Sequence, residues 1–212
     1  MVPIIFKGEI IMAENNLWSQ LNGIIEQTSK KVEVRDLKGV SKDEASELGF
    51  NPESLLGVIV SKTSGFTVDN WVRVLGQGIS EYNKDKTEVT NGMLVVAFDV
   101  VGGLFALNVG GFEEAQNAVW YFAPDTLEWE SLDVSYTGFI NWTLTGDTDG
   151  FYSSMRWDSW EQDCKTIPFE EVMLIYPFLW ANECNINTAS KKAVPFNELY
   201  NLNLENWRKF NK

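Results

Sequence analysis

The chain has 212 residues, 44% hydrophobic and 22% charged, the ordinary balance of a globular protein able to bury a sizeable core. Thirty acidic against seventeen basic residues leave a formal net charge of -13, which repels polyanions and so argues against nucleic acid and anionic membrane surfaces as partners. The same charge suits solubility or the steering of a basic protein partner.

The first eleven residues carry a short apolar run broken by Lys7 and Glu9, too short for a signal sequence or a membrane span. Residues 1–14 are therefore read as a leader without an assigned structural role, and 15–212 as one globular domain. Leu17, Leu21, Ile24 and Ile25 recur at helical spacing over residues 15–28, with Asn15 or Asn16 as the cap. Residues 31–37 alternate as a strand, and Ser41-Lys42-Asp43-Glu44 has the form of a capping box opening a short helix that Gly49 stops. Residues 54–61 are rich in β-formers and, with the alternating stretch 71–75, predict two adjacent antiparallel strands. After the polar loop 84–91, residues 93–98 are apolar enough for a central strand buried on both faces.

Gly102-Gly103 separates that strand from another at 104–107, and Gly110-Gly111 opens a loop leading to a third at 118–122. Pro124 and Asp125 suit a type I turn, folding 127–130 back as a hairpin partner. Apolar positions then switch to helical spacing over 135–145, with Gly146 at the stop, so that this helix covers one face of a meander sheet. Residues 147–166 read as two short helices, 172–176 as a strand closed by Pro177, 185–192 as a polar loop, and the stretch beyond Pro195 as a terminal amphipathic helix. The fold class is α+β: a mainly antiparallel meander with helices packed on it. Gly102, Gly103, Gly110 and Gly146 are expected at turns or close approaches, and Trp120, Trp129, Trp142 and Trp157 in the core.

There is no histidine, which removes Ser-His-Asp and Cys-His nucleophile systems and most transition-metal sites. Cys164 and Cys184 lie outside any C-x-x-C spacing, consistent with free thiols in a reducing cytoplasm, and Cys164 has no base to activate it as a nucleophile. Gly76-Gln77-Gly78 lacks the third glycine of a dinucleotide loop, so no cofactor is expected. Asp147-Thr148-Asp149-Gly150 places its glycine too early for a calcium loop, which leaves Asp147 as the cap of the next helix and no metal site. The remaining enzyme reading is a carboxylate pair drawn from Asp147, Asp149, Asp158 and Glu161, with Trp142, Trp157 or Trp160 as a sugar platform. No catalytic residue is assigned. The candidate interaction surface is Trp142, Asp147, Asp149, Tyr152, Trp157, Asp158, Trp160 and Glu161.

Several strings carry a resemblance. Val101-Gly102-Gly103-Leu104-Phe105-Ala106-Leu107-Asn108, Tyr121-Phe122-Ala123-Pro124-Asp125-Thr126-Leu127-Glu128-Trp129, Leu144-Thr145-Gly146-Asp147 and Arg156-Trp157 resemble a bacterial family of uncharacterised proteins, domain of unknown function 2625. Trp71-Val72-Arg73-Val74-Leu75-Gly76 and Pro177-Phe178-Leu179-Trp180 agree with it, and the likeness runs from about Trp18 to Leu202. More distantly, the order of elements in the middle of the chain is similar to the SUKH superfamily. That likeness implies an α+β binding module, in many members an immunity protein that occludes a toxin. The function expected is a non-catalytic, cytoplasmic protein-binding module meeting a basic partner; the alternative is a carboxylate-dependent enzyme or binding protein acting on carbohydrate.

Overall fold

A computed structural model describes residues 7–37 and 44–211, with side chains from residue 16 onward. Helix α1 (Lys7–Gln27) begins well before Asn15 and Asn16, so both lie inside the helix and neither caps it. Asn16 instead accepts from Gln20 one turn on, at 3.1 Å. Strand β1 (Val32–Val34) follows as expected, and the short helix α2 (Glu44–Glu47) ends at Gly49, whose φ of 70° is the left-handed value glycine tolerates. Ser41, Lys42 and Asp43 of the expected capping box lie outside the described residues.

Residues 54–61 are not a strand. They form helix α3 (Leu55–Lys62), capped by Ser54, whose hydroxyl accepts from Gly57 N at 3.1 Å. An apolar run without periodicity suits a helix buried on all sides as well as a strand, and Leu56, Val58, Ile59 and Val60 are all buried. Gly57 permits the tight approach, since a Cβ there would stand 2.2 Å from the Asn51 carbonyl oxygen. The antiparallel partner of β3 (Val72–Val74) is instead β2 (Phe66–Val68), joined to it through Asp69 and Asn70, both at positive φ.

The main sheet continues through β4 (Met93–Asp99), β5 (Leu104–Asn108), β6 (Val119–Ala123) and β7 (Glu128–Val134). All seven strands are antiparallel and stand in chain order, with β4 in the middle as its apolar sequence predicts. Helices α4 (Tyr136–Thr145), α5 (Thr148–Phe151) and α6 (Trp160–Cys164) follow. A separate hairpin of β8 (Glu171–Tyr176) and β9 (Ser190–Pro195) precedes the last helix, α7 (Phe196–Phe210). The polar loop expected over 185–192 thus runs into a strand. Of β9 only Val194 is buried, so the hydrophobic signal that marks a strand is nearly absent there.

Alternation along the strands gives the sheet two buried faces. On one, Phe105 of β5 packs on Phe139 of α4 at a ring separation of 4.7 Å and on Phe151 of α5 at 6.4 Å. On the other, Phe98 of β4 meets Phe196 of α7 at 4.6 Å and Phe169 at 5.8 Å. Each fully buried phenylalanine of this kind contributes about 2–3 kcal/mol. Register places Thr67, Arg73 and Phe98 side by side on the second face.

The turn between β4 and β5 is organised around Asp99. Its Oδ1 accepts from Val101 N at 3.0 Å and Gly103 N at 2.9 Å, and its Oδ2 from the Tyr121 hydroxyl at 2.7 Å. Gly102 takes a φ of 91°, and a Cβ at Gly103 would fall 2.4 Å from the Tyr121 hydroxyl. Trp120 and Trp157 are buried and Trp129 and Trp142 partly so, each packed in the core. Among the described residues no helix is long and apolar enough to cross a membrane.

Candidate functional site

A cleft of about 880 Å³ opens where three segments meet: residues 29–31 after α1, the β2–β3 turn at Asp69 and Asn70, and residues 144–149 with α6. The first wall is tied to carbonyls at the end of α4, which a helix C-terminus leaves without partners inside the helix. Thr28 donates its hydroxyl to the Leu144 carbonyl, and Lys30 Nζ donates to the Thr143 carbonyl at 3.1 Å and to Thr148 Oγ1 at 2.9 Å. Burial pushes the Lys30 ammonium below its ordinary pKa, while Asp69 and Asp149 pull in the opposite direction. A cation at the negative end of the α4 dipole is well placed.

The second wall is the β2–β3 turn, where Asp69 Oδ1 accepts from Lys31 N at 2.9 Å and Asn70 Oδ1 from Lys31 Nζ at 3.2 Å. The third begins with Asp147, which caps α5 by accepting from Gly150 N at 2.8 Å, the role its position after Gly146 predicts. Asp149 pairs with Arg156, whose side chain is only 7% exposed. The Arg156 guanidinium lies 4.0 Å from the ring centre of Trp160 and 4.9 Å from that of Trp71. Trp71 in turn meets Trp160 edge-on at 5.2 Å. Trp160 therefore stands half-buried in the wall, fixed from behind by a stacked cation and an indole.

Four of the eight candidate surface residues meet here: Asp147, Asp149, Trp160 and Glu161. The other four do not. Tyr152 is 0% exposed and Trp157 3%, so neither can form part of an interaction surface; both rings pack on Trp71, at 5.3 and 5.9 Å. Trp142 packs inward against Phe151 at 5.0 Å, and Asp158 is exposed but outside the cleft, its amide donating to Asn187 Oδ1 at 2.9 Å. Sequence reasoning missed Lys30, Asp69 and Asn70, the last two of which the turn-forming pair Asp-Asn would have flagged as a hairpin tip.

Burial drives the Cys164 thiol up to about 12, so it is held as an inert thiol in the core. Among the described residues, no group of three or more Cys, Asp or Glu side chains is placed to hold a metal ion.

Comparison with known proteins places residues 8–199 in a match to the family described as Protein of unknown function DUF2625. The chain is 31% identical over 204 residues to a putative uncharacterized protein, YbfG, of Escherichia coli strain K12, covering 92% of this chain and 94% of that one. It is 27% identical over 221 residues to an uncharacterized protein of Haemophilus influenzae strain Rd, covering 95% of each. No solved structure matches.

Proposed function

The chain belongs to the DUF2625 family, and from that premise we propose that it works by binding, without catalysis, taking a basic segment of a partner protein into the cleft. The observation that carries this reading is the convergence of Asp69, Asp147, Asp149 and Glu161 around the half-buried Trp160. A lysine or arginine side chain entering there would stack on the indole and reach carboxylate oxygens on either side. Lys30, Lys31 and Lys165 also line the cleft, but Lys30 is turned to the Thr143 carbonyl and Thr148 Oγ1, and Lys31 is engaged by Glu33 at 2.8 Å. The net charge of -13 favours encounter with a basic partner. Three of the four acids hold the fold together: Asp69 through Lys31 N, Asp147 through the α5 cap and Asp149 through Arg156. A proton shuttle would forfeit those bonds at each turnover, whereas a carboxylate with about four acceptor sites can keep one internal bond and still receive a partner's donor. An immunity-type role in the cytoplasm, as the SUKH likeness implies, is one form of this reading, with a basic toxin as the occupant.

The test is capture from the native cell extract by tagged wild-type protein, by an Asp69→Asn/Glu161→Gln variant and by a control, Glu128→Gln/Glu130→Gln, altered on β7. The expected result is a basic protein retained by wild type and control, released by high salt, and retained about tenfold less by the cleft variant. Equal retention by all three, or a blank, overturns the proposal. A second reading, carbohydrate binding, draws on Trp160 beside the amides of Asn70 and Gln162 in the same cleft. It requires quenching of tryptophan fluorescence by oligosaccharides that Trp160→Ala abolishes.

A further inference from the structure

On the second face of the sheet, where the first turn of α7 meets the residues that follow β3, lies a cavity of about 400 Å³ that shares no residue with the acidic cleft. Leu75 and the rings of Tyr82, Phe169 and Phe196 line it. Tyr82 is held between Phe98 at 5.4 Å and Phe196 at 5.3 Å, and Phe169 carries the Arg35 guanidinium over its face at 4.0 Å. The charged side chains on the walls neutralise one another in pairs: Arg35 with Glu170 at 2.6 Å and Lys84 with Glu81 at 2.7 Å. Tyr82 is half-buried, and its hydroxyl makes no hydrogen bond among the described residues. Unlike the hydroxyls of Tyr136 and Tyr152, it is not sealed from solvent.

The volume falls within the range of small-molecule sites, about 300–1,000 Å³, and aromatic surface with one accessible polar group is what such sites use to hold and orient a ligand. Because the wall charges are paired, an ion entering here would lose its water without gaining an unpaired counter-charge. We infer that the cavity binds a small, uncharged aromatic compound, packed against the rings of Tyr82, Phe169 and Phe196, with the Tyr82 hydroxyl donating to a polar atom on its rim. Ring against ring, stacked or edge-on, gains more than the burial of the same area of aliphatic surface. Burial, and after it the Glu170 carboxylate, push the Tyr82 phenol up to about 12, so at neutral pH it keeps the proton it would donate. This inference does not rest on what occupies the acidic cleft.

The test uses the full chain with its six tyrosine rings labelled with carbon-13, the Tyr82 resonance being assigned by its loss in Tyr82→Phe. The probe is p-cresol, with cyclohexanol as the non-aromatic control and a Gly-Tyr-Gly peptide blocked at both ends as the third arm. A saturating shift of the Tyr82 ring with p-cresol, absent with cyclohexanol, is expected. By calorimetry, Tyr82→Phe should bind p-cresol about tenfold more weakly, because the donor is gone while the ring remains. Its melting temperature should be that of wild type, since the hydroxyl bonds to nothing among the described residues. No saturable shift with p-cresol, an equal shift with cyclohexanol, or a Tyr82→Phe protein that binds p-cresol as wild type does overturns the inference. Tighter binding of the peptide than of p-cresol overturns it too, and assigns the cavity to a tyrosine side chain of a partner protein instead of a small molecule.

Discussion

Asp99 and Arg73 stand on neighbouring strands, on opposite faces of one sheet, and both are almost without solvent contact. The carboxylate is fully dressed, with two backbone amides and the Tyr121 hydroxyl donating to it. The guanidinium is half dressed, its Nη1 bonded to a turn carbonyl and its Nε bonded to nothing. The first arrangement closes a turn and asks for no ligand. The second leaves a buried donor without an acceptor, a cost that an apolar side chain of similar volume would not carry. The contrast separates a buried polar group that three donors satisfy from one whose bonding is incomplete.

Three measurements can break or sharpen that contrast. The largest effect is expected from Asp99→Ala, which strands three buried donors and should cost about 4 kcal/mol in urea unfolding. Arg73→Met should cost only about 1 kcal/mol, since a desolvated charge without a partner is exchanged for packing of similar volume. A loss as large as that of Asp99→Ala would show that both groups are architectural, and the contrast would fail. The smallest effect is a slope with pH. Burial raises the Asp99 carboxyl above its ordinary 3.8, opposed in part by the Tyr121 hydrogen bond. Stability contributed through this group is therefore full below about 3.8 and lost as pH rises through the folded-state value. The stability of Asp99→Asn relative to wild type should accordingly rise with pH from 3.8 upward, measured by unfolding at a series of pH values. A flat difference would mean that the three hydrogen bonds cancel the cost of burial.

Elements with a strong period or a clear punctuator were legible before the structure. The apolar β4 announced the centre of the sheet, Pro124-Asp125 the β6–β7 hairpin, and Gly146 the end of α4. Helix α3 was misread because Leu55-Leu56-Gly57-Val58-Ile59-Val60 has no period at all, and Ser54 as its cap was the signal overlooked. Strand β2 is three residues long, and β9 exposes nearly all of its side chains, so neither carries enough hydrophobic pattern to be seen.

Of the cleft, the half built from adjacent residues was accessible: Asp147, Asp149, Trp160 and Glu161 lie close in sequence. Lys30 and Asp69 come from far along the chain, and only tertiary packing brings them in. Tyr152 and Trp157 looked available because aromatic residues in a polar stretch read as surface; their burial around Trp71 depends on a strand some eighty residues earlier. Arg73 gave no sign of interest. Val72-Arg73-Val74 reads as a strand with one wet face, and only the packing of residues 165–170 and α7 on the far side shows that this face is dry.

The seven-stranded meander has a consequence for the order in which the molecule assembles. Every strand of this sheet pairs with its neighbour in the chain, and the loops to be closed are short between β2 and β3, β4 and β5, and β6 and β7. The larger cleft is different, because its walls are joined by Lys30 reaching Thr143 and Thr148, contacts 113 and 118 residues apart. Those contacts join distant parts of the chain, so the shape of the cleft depends on the sheet being in place.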